Sequence, residues 1–197
     1  MALIAAALLV ALVAGCLWPV PYVEVEAGRA VVYRARVRAG QRVALDYMHS
    51  LFRRPVREEF RVTAAGLLLT RIASTTPEID GYYALPRARL RRVAAAEGRR
   101  YELVAGDGEG LLPPVRRLAV RATAVGKRTL VVGGTCYRLP GGGDGHRATL
   151  VVLRWRPSVL GVADAVAHAL RGGNEDPCLI EPLAASSPQS NRSAGRA

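Results

Sequence analysis

Lysine is nearly missing from this 197-residue chain: Lys127 is the single example among 28 basic residues, so arginine carries the net charge of +12. Such a surplus attracts phosphates, anionic headgroups or an acidic protein face over a range set by salt. Because the arginines are spread along the chain and not gathered in one block, they read as a solvated face, and no recognition motif accompanies them, which argues against nucleic acid. Aromatics are scarce at 6%, leaving Val, Ala, Leu and Gly to build a small, tight β core. Cysteine occurs three times, with no CxxC or His-rich spacing that would point to zinc, and no cofactor motif is read elsewhere. The run Pro140-Gly141-Gly142-Gly143-Asp144-Gly145 has no following Lys-Ser or Lys-Thr, so it reads as a hairpin tip and not as a phosphate loop. No Gly-x-Ser-x-Gly elbow is present either.

Charge of either sign is absent from Ala2 to Trp18, an apolar stretch interrupted only by Gly15 and Cys16. As a helix it would span about 25 Å, against roughly 30 Å of hydrocarbon, with Trp18 and Tyr22 placed as interfacial anchors. It reads as a membrane segment or a signal. A secretory signal normally opens on Lys or Arg, yet the first basic residue here is Arg29. The positive-inside rule would draw Arg29 to Arg38 toward the cytoplasm, so charge alone does not fix the orientation. Val13-Ala14-Gly15-Cys16 also fits a lipobox, making Cys16 a candidate lipidation site. Three readings stand at this point: an uncleaved anchor, a lipoprotein, or a cleaved leader. All of them hold the domain at a membrane or beyond it. Cys136 and Cys178 would then form a candidate disulfide, or remain two unrelated thiols.

The remainder divides into a β domain over 22–157, a short amphipathic helix over 158–173 and a disordered tail over 174–197. The expected fold is all-β, an antiparallel sandwich of about eight short strands, with an N-terminal hydrophobic helix and a short C-terminal one. Strands are expected at Tyr22 to Glu26, Arg29 to Val37, Leu67 to Ile72, Arg116 to Ala124, Arg128 to Gly133 and Ala148 to Arg154. A short arginine-studded helix is expected at Ala88 to Ala96. The pattern is plainest in a hairpin between Arg42 and Val62. Val43, Leu45, Tyr47 and His49 share one face, and Val56, Glu58, Phe60 and Val62 share the matching one, leaving Asp46, Arg57, Glu59 and Arg61 for water. Glu58 thus points inward, where an unpaired carboxylate is costly. If Leu51 to Pro55 forms a short loop, His49 lies opposite or nearly opposite Glu58 and is its expected partner.

Tyr47-Met48-His49-Ser50 followed by Pro55-Val56-Arg57-Glu58-Glu59-Phe60-Arg61-Val62 resembles the family designated domain of unknown function 1850 (DUF1850), in which Tyr-x-His-Ser precedes Pro-Val-x-Glu-x-Phe. The matching positions are Tyr47, His49, Ser50, Pro55, Val56, Glu58 and Phe60, and the likeness covers about Ala30 to Pro157. Where the family usually has a Gly-Ala-Gly-Leu-Pro-like segment, this chain has Pro77 to Pro86. The resemblance implies a small prokaryotic β domain behind an N-terminal membrane segment, often encoded beside TAXI-type TRAP transporters, with no established activity. The expected function is a membrane-anchored extracytoplasmic accessory or binding domain, with a TRAP-type transporter or its solute-binding protein as partner. Tyr47, His49, Ser50 and Glu58 form its binding or structural polar cluster. Two alternatives remain: a membrane-tethered hydrolase using Ser50, His49 and Glu58 as nucleophile, base and orienting acid, and an arginine-driven binder of anionic polymers. The hydrolase requires a bulge or sharp turn, because consecutive strand residues face opposite ways.

Overall fold

Strand-forming alternation runs through nearly the whole middle of the chain, and in the computed structural model it becomes, among the described residues, eleven strands in two antiparallel sheets. The structure describes residues 4, 16–95, 98–106, 109–121, 127–140 and 148–157. The strands are β1 (Pro19–Ala27), β2 (Ala30–Arg36), β3 (Arg42–Met48), β4 (Pro55–Val62), β5 (Leu67–Ser74), β6 (Ala88–Ala95), β7 (Gly98–Ala105), β8 (Arg117–Val120), β9 (Thr129–Val132), β10 (Thr135–Arg138) and β11 (Thr149–Pro157). One helical turn, α1 (Ile79–Tyr83), follows β5. A four-stranded sheet has the order β2-β1-β11-β8, and a seven-stranded sheet has the order β10-β9-β3-β4-β5-β7-β6.

Both sheets contribute to one hydrophobic core. Val23, Val25, Val151 and Leu153 come from the smaller sheet; Val43, Leu45, Phe60, Ile72, Leu103 and Leu130 come from the larger. Fully burying side chains of this size stabilises the fold by about 1.5–3 kcal/mol each. The chain passes between sheets just after β2, where the Val37 amide donates to the Pro21 carbonyl at 3.0 Å. Tight turns at Gly28 and Gly40, both with positive φ, make the successive reversals possible.

Several expectations change. The helix expected at Ala88 to Ala96 does not form over its described residues: Ala88 to Ala95 is strand β6, paired residue for residue with β7. A helix there would leave the β7 ladder open, so sheet pairing overrides the helix propensity of Ala and Arg. The expected strand from Arg128 is shorter and is followed at Gly133-Gly134 by a second, β10, that was not anticipated. Tyr22, expected at a membrane interface, is 1% exposed on β1 and does not reach solvent. Of the segment 1–21 expected to be an anchor or signal, the described residues are 4 and 16–21, and among the described residues no helix is long and apolar enough to cross a membrane. The glycine run, the helix expected at 158–173 and the tail lie outside the described residues.

Candidate functional site

The β3–β4 hairpin sets the site by its register. Leu45 pairs with Glu58, Tyr47 with Val56 and Met48 with Pro55, and the ladder ends where the His49 amide donates to the Arg54 carbonyl at 2.8 Å. Opposite Glu58 therefore stands Leu45, and the expected His49–Glu58 pairing does not form. Along an antiparallel pair the diagonal neighbour is within reach of a long side chain. That neighbour is Tyr47, whose hydroxyl donates to Glu58 Oε1 at 2.7 Å.

A second phenol comes from α1. Tyr83 donates to the same Glu58 Oε1 at 2.7 Å, and the Tyr47 and Tyr83 hydroxyls also touch each other. Burial raises the pKa of both phenols, and the Glu58 charge raises it further. Both remain protonated donors, so a carboxylate that alternation turned inward is held by neutral groups.

His49 lies beside this triad. It is 3% exposed, stacks on Phe52 at 4.6 Å between centroids and takes the edge of Tyr82 at 4.3 Å. Its Nδ1 accepts from the backbone amides of Leu51 and Phe52 at 3.3 and 3.4 Å, which assigns the ring proton to Nε2. Burial lowers its pKa, the Arg128 charge lowers it further, and Glu58 acts in the opposite sense. Arg128, immediately before β9, sits 4.4 Å over the Tyr47 ring as a cation–π contact.

Of the expected cluster, Tyr47 and Glu58 are joined directly, and His49 adjoins Tyr47 at 6.4 Å between ring centroids. Ser50 is exposed in the turn and stands apart. The hydrolase geometry is not assembled here: Glu58 is held by phenols, and the imidazole nitrogen that would face an orienting acid takes backbone amides instead. Tyr82, Tyr83, Phe52 and Arg128 were not singled out in the sequence. The signal that could have found the first two is Gly81-Tyr82-Tyr83, adjacent tyrosines in an aromatic-poor chain. Cys16 is exposed, Cys136 is buried and disulfide-bonded, and Cys178 lies outside the described residues.

The outer faces carry a different kind of polar structure. Arg57 forks onto Asp46 with bonds of 2.6 and 2.5 Å, and Arg71 spans Glu59 and Glu102, the latter at 2.7 Å. Arg91 and Arg100 close on Glu102 at 2.8 and 3.2 Å. On the smaller sheet Glu24 meets Arg34 at 2.8 Å, Arg156 at 3.2 Å and Arg154 at 3.3 Å. Arg57 and Glu59, expected in water, are 6% and 9% exposed, because cross-strand partners shield one another. Burial pushes the Asp46 carboxyl up, and its bond to Arg57 opposes the rise.

No family model, curated protein or solved structure matches the chain.

Proposed function

We propose that this is a membrane-anchored extracytoplasmic accessory or binding domain, a β-sandwich of the DUF1850 kind, serving a TAXI-type TRAP transporter or its solute-binding protein. The observation that carries the membrane reading is the join between leader and domain. The uncharged run Ala2 to Trp18 leads straight into β1 at Pro19, and β1 is an interior strand flanked by β2 and β11. An anchor fixed to an interior strand, without a polar tether, would hold the domain close to the bilayer. The disulfide at Cys136 supports an oxidising compartment. The transporter partner rests on the resemblance alone.

The site supports binding over catalysis, because its acid, imidazole and phenols satisfy one another or the backbone, and among the described residues no nucleophile is aligned with a base. Against an anionic-polymer binder, most of the arginines least exposed to solvent are met by carboxylates on the outer faces. Protease treatment of intact and lysed cells tests the location. Digestion in intact cells after the outer barrier is opened, with the cytoplasm closed, is the expected result; protection until lysis of the inner membrane would overturn it. Pull-down of the anchored chain is then expected to recover the transporter or its binding protein.

A further inference from the structure

Arg128 stands apart from the other arginines that are not exposed. Arg34, Arg57, Arg71, Arg100, Arg154 and Arg156 each meet a carboxylate. Arg128 is half-buried, its Nε is buried without a hydrogen-bond partner, and its recorded neighbour is the face of Tyr47. A π face attracts a cation but offers no acceptor to the planar N–H fork that matches a carboxylate. A bound anion reaching the outer edge of this half-buried guanidinium would supply the acceptor that the planar fork lacks.

The surroundings narrow the ligand. His49 borders the same Tyr47 ring, and with Nδ1 already accepting from the backbone its remaining polar atom is the Nε2–H donor. The Tyr47 and Tyr83 hydroxyls are committed to Glu58, so they add no free donor. Glu58 contributes a negative charge nearby, so beside the one guanidinium a bound monoanion leaves a single net negative charge and a dianion leaves two, which favours the lower charge. Tyr82 is 55% exposed and meets both His49 and Phe52, so an aromatic wall adjoins His49, which itself borders the Tyr47 ring under the cation.

We infer that the hairpin end of the seven-stranded sheet binds a small organic monocarboxylate with a flat apolar body, the carboxylate on Arg128 and the body against the Tyr82–Phe52 wall. This deepens the binding reading above and rests on it for the site, but not for the side of the membrane.

Calorimetric titration of the purified full-length chain in detergent, at constant ionic strength, tests it with benzoate as probe, benzamide as its neutral isostere and inorganic phosphate as the alternative anion. Saturable uptake of benzoate, at least about tenfold tighter than benzamide, is expected, as is a loss of about tenfold or more in Arg128→Gln. Arg61→Gln, an exposed arginine near the opposite end of β4, should bind as the parent does. Should Arg128→Gln fail to fold, Arg128→Lys retains the charge without the fork and should weaken benzoate severalfold while its melting temperature stays near the parent's. Equal binding of benzoate and benzamide, phosphate binding as tight as benzoate, no saturable uptake, or unchanged affinity in the folded Arg128 variant would each overturn the inference. A domain found on the cytoplasmic side that still binds benzoate through Arg128 would overturn only the location.

Discussion

Two carboxylates of the β3–β4 hairpin, Asp46 and Glu58, are neutralised in opposite ways. Asp46 lies on the outer face and is forked by Arg57, a charge met by a charge. Glu58 lies on the inner face and accepts hydrogen bonds from two phenols, a charge met by dipoles. The first arrangement is closed, since acid and base satisfy each other and nothing is left over for a ligand. Beside the second stands a cation, Arg128, that rests on the Tyr47 ring, and no ion pair joins it to Glu58 among the described residues. Neutral partners around one acid are thus what turn a structural hairpin into a candidate binding end.

Breaking the closed pair should have the largest effect. Asp46→Ala leaves Arg57 charged and nearly buried, and a loss of about 3–5 kcal/mol in denaturant unfolding is expected. Replacing both partners by Leu and Met should restore most of that stability, since an apolar pair of similar volume avoids the desolvation. Removing one neutral donor should cost less: Tyr83→Phe leaves Glu58 its bond from Tyr47, and about 1 kcal/mol is expected by the same measurement. A drop as large as that of Asp46→Ala would erase the distinction between the two acids.

Acidity sharpens the comparison further. His49 has a pKa below its ordinary 6.5, through burial first and Arg128 second. In the unfolded chain it protonates at the ordinary value, so the unfolded state binds the extra proton first as pH falls. The contribution of neutral His49 is therefore complete above about pH 6.5 and is lost as pH falls through the folded-state value. Stability measured from pH 8 down to pH 5 should decline more in the parent than in His49→Gln. The smallest effect belongs to Arg87–Glu109, a 3.5 Å pair with both side chains exposed. Arg87→Ala should change stability by less than about 0.5 kcal/mol, and added salt should remove even that.

How much of this could be read in advance differs residue by residue. The inward turn of Glu58 was legible, because parity along a strand depends only on counting. Its partner was not. Counting does not say where a hairpin closes, and closure at His49 and Arg54 slides Leu45, instead of His49, opposite Glu58. The burial of Arg57 and Glu59 was missed because alternation assigns them to the outside and is blind to cross-strand ion pairs that shield that side. Strand β6 was hidden by helix-favouring Ala and Arg, and its conformation comes from β7.

The amino-acid order alone determined the β class, the inward placement of Tyr47 and Glu58, and an uncharged run from Ala2 to Trp18, since each depends on periodicity or composition within a few residues. Tertiary structure decided which groups meet. Tyr83 reaches Glu58 across 25 positions and Arg128 reaches Tyr47 from the neighbouring strand end at β9. Such meetings follow from register and strand order, which are set by the packing of the whole core and by no local pattern.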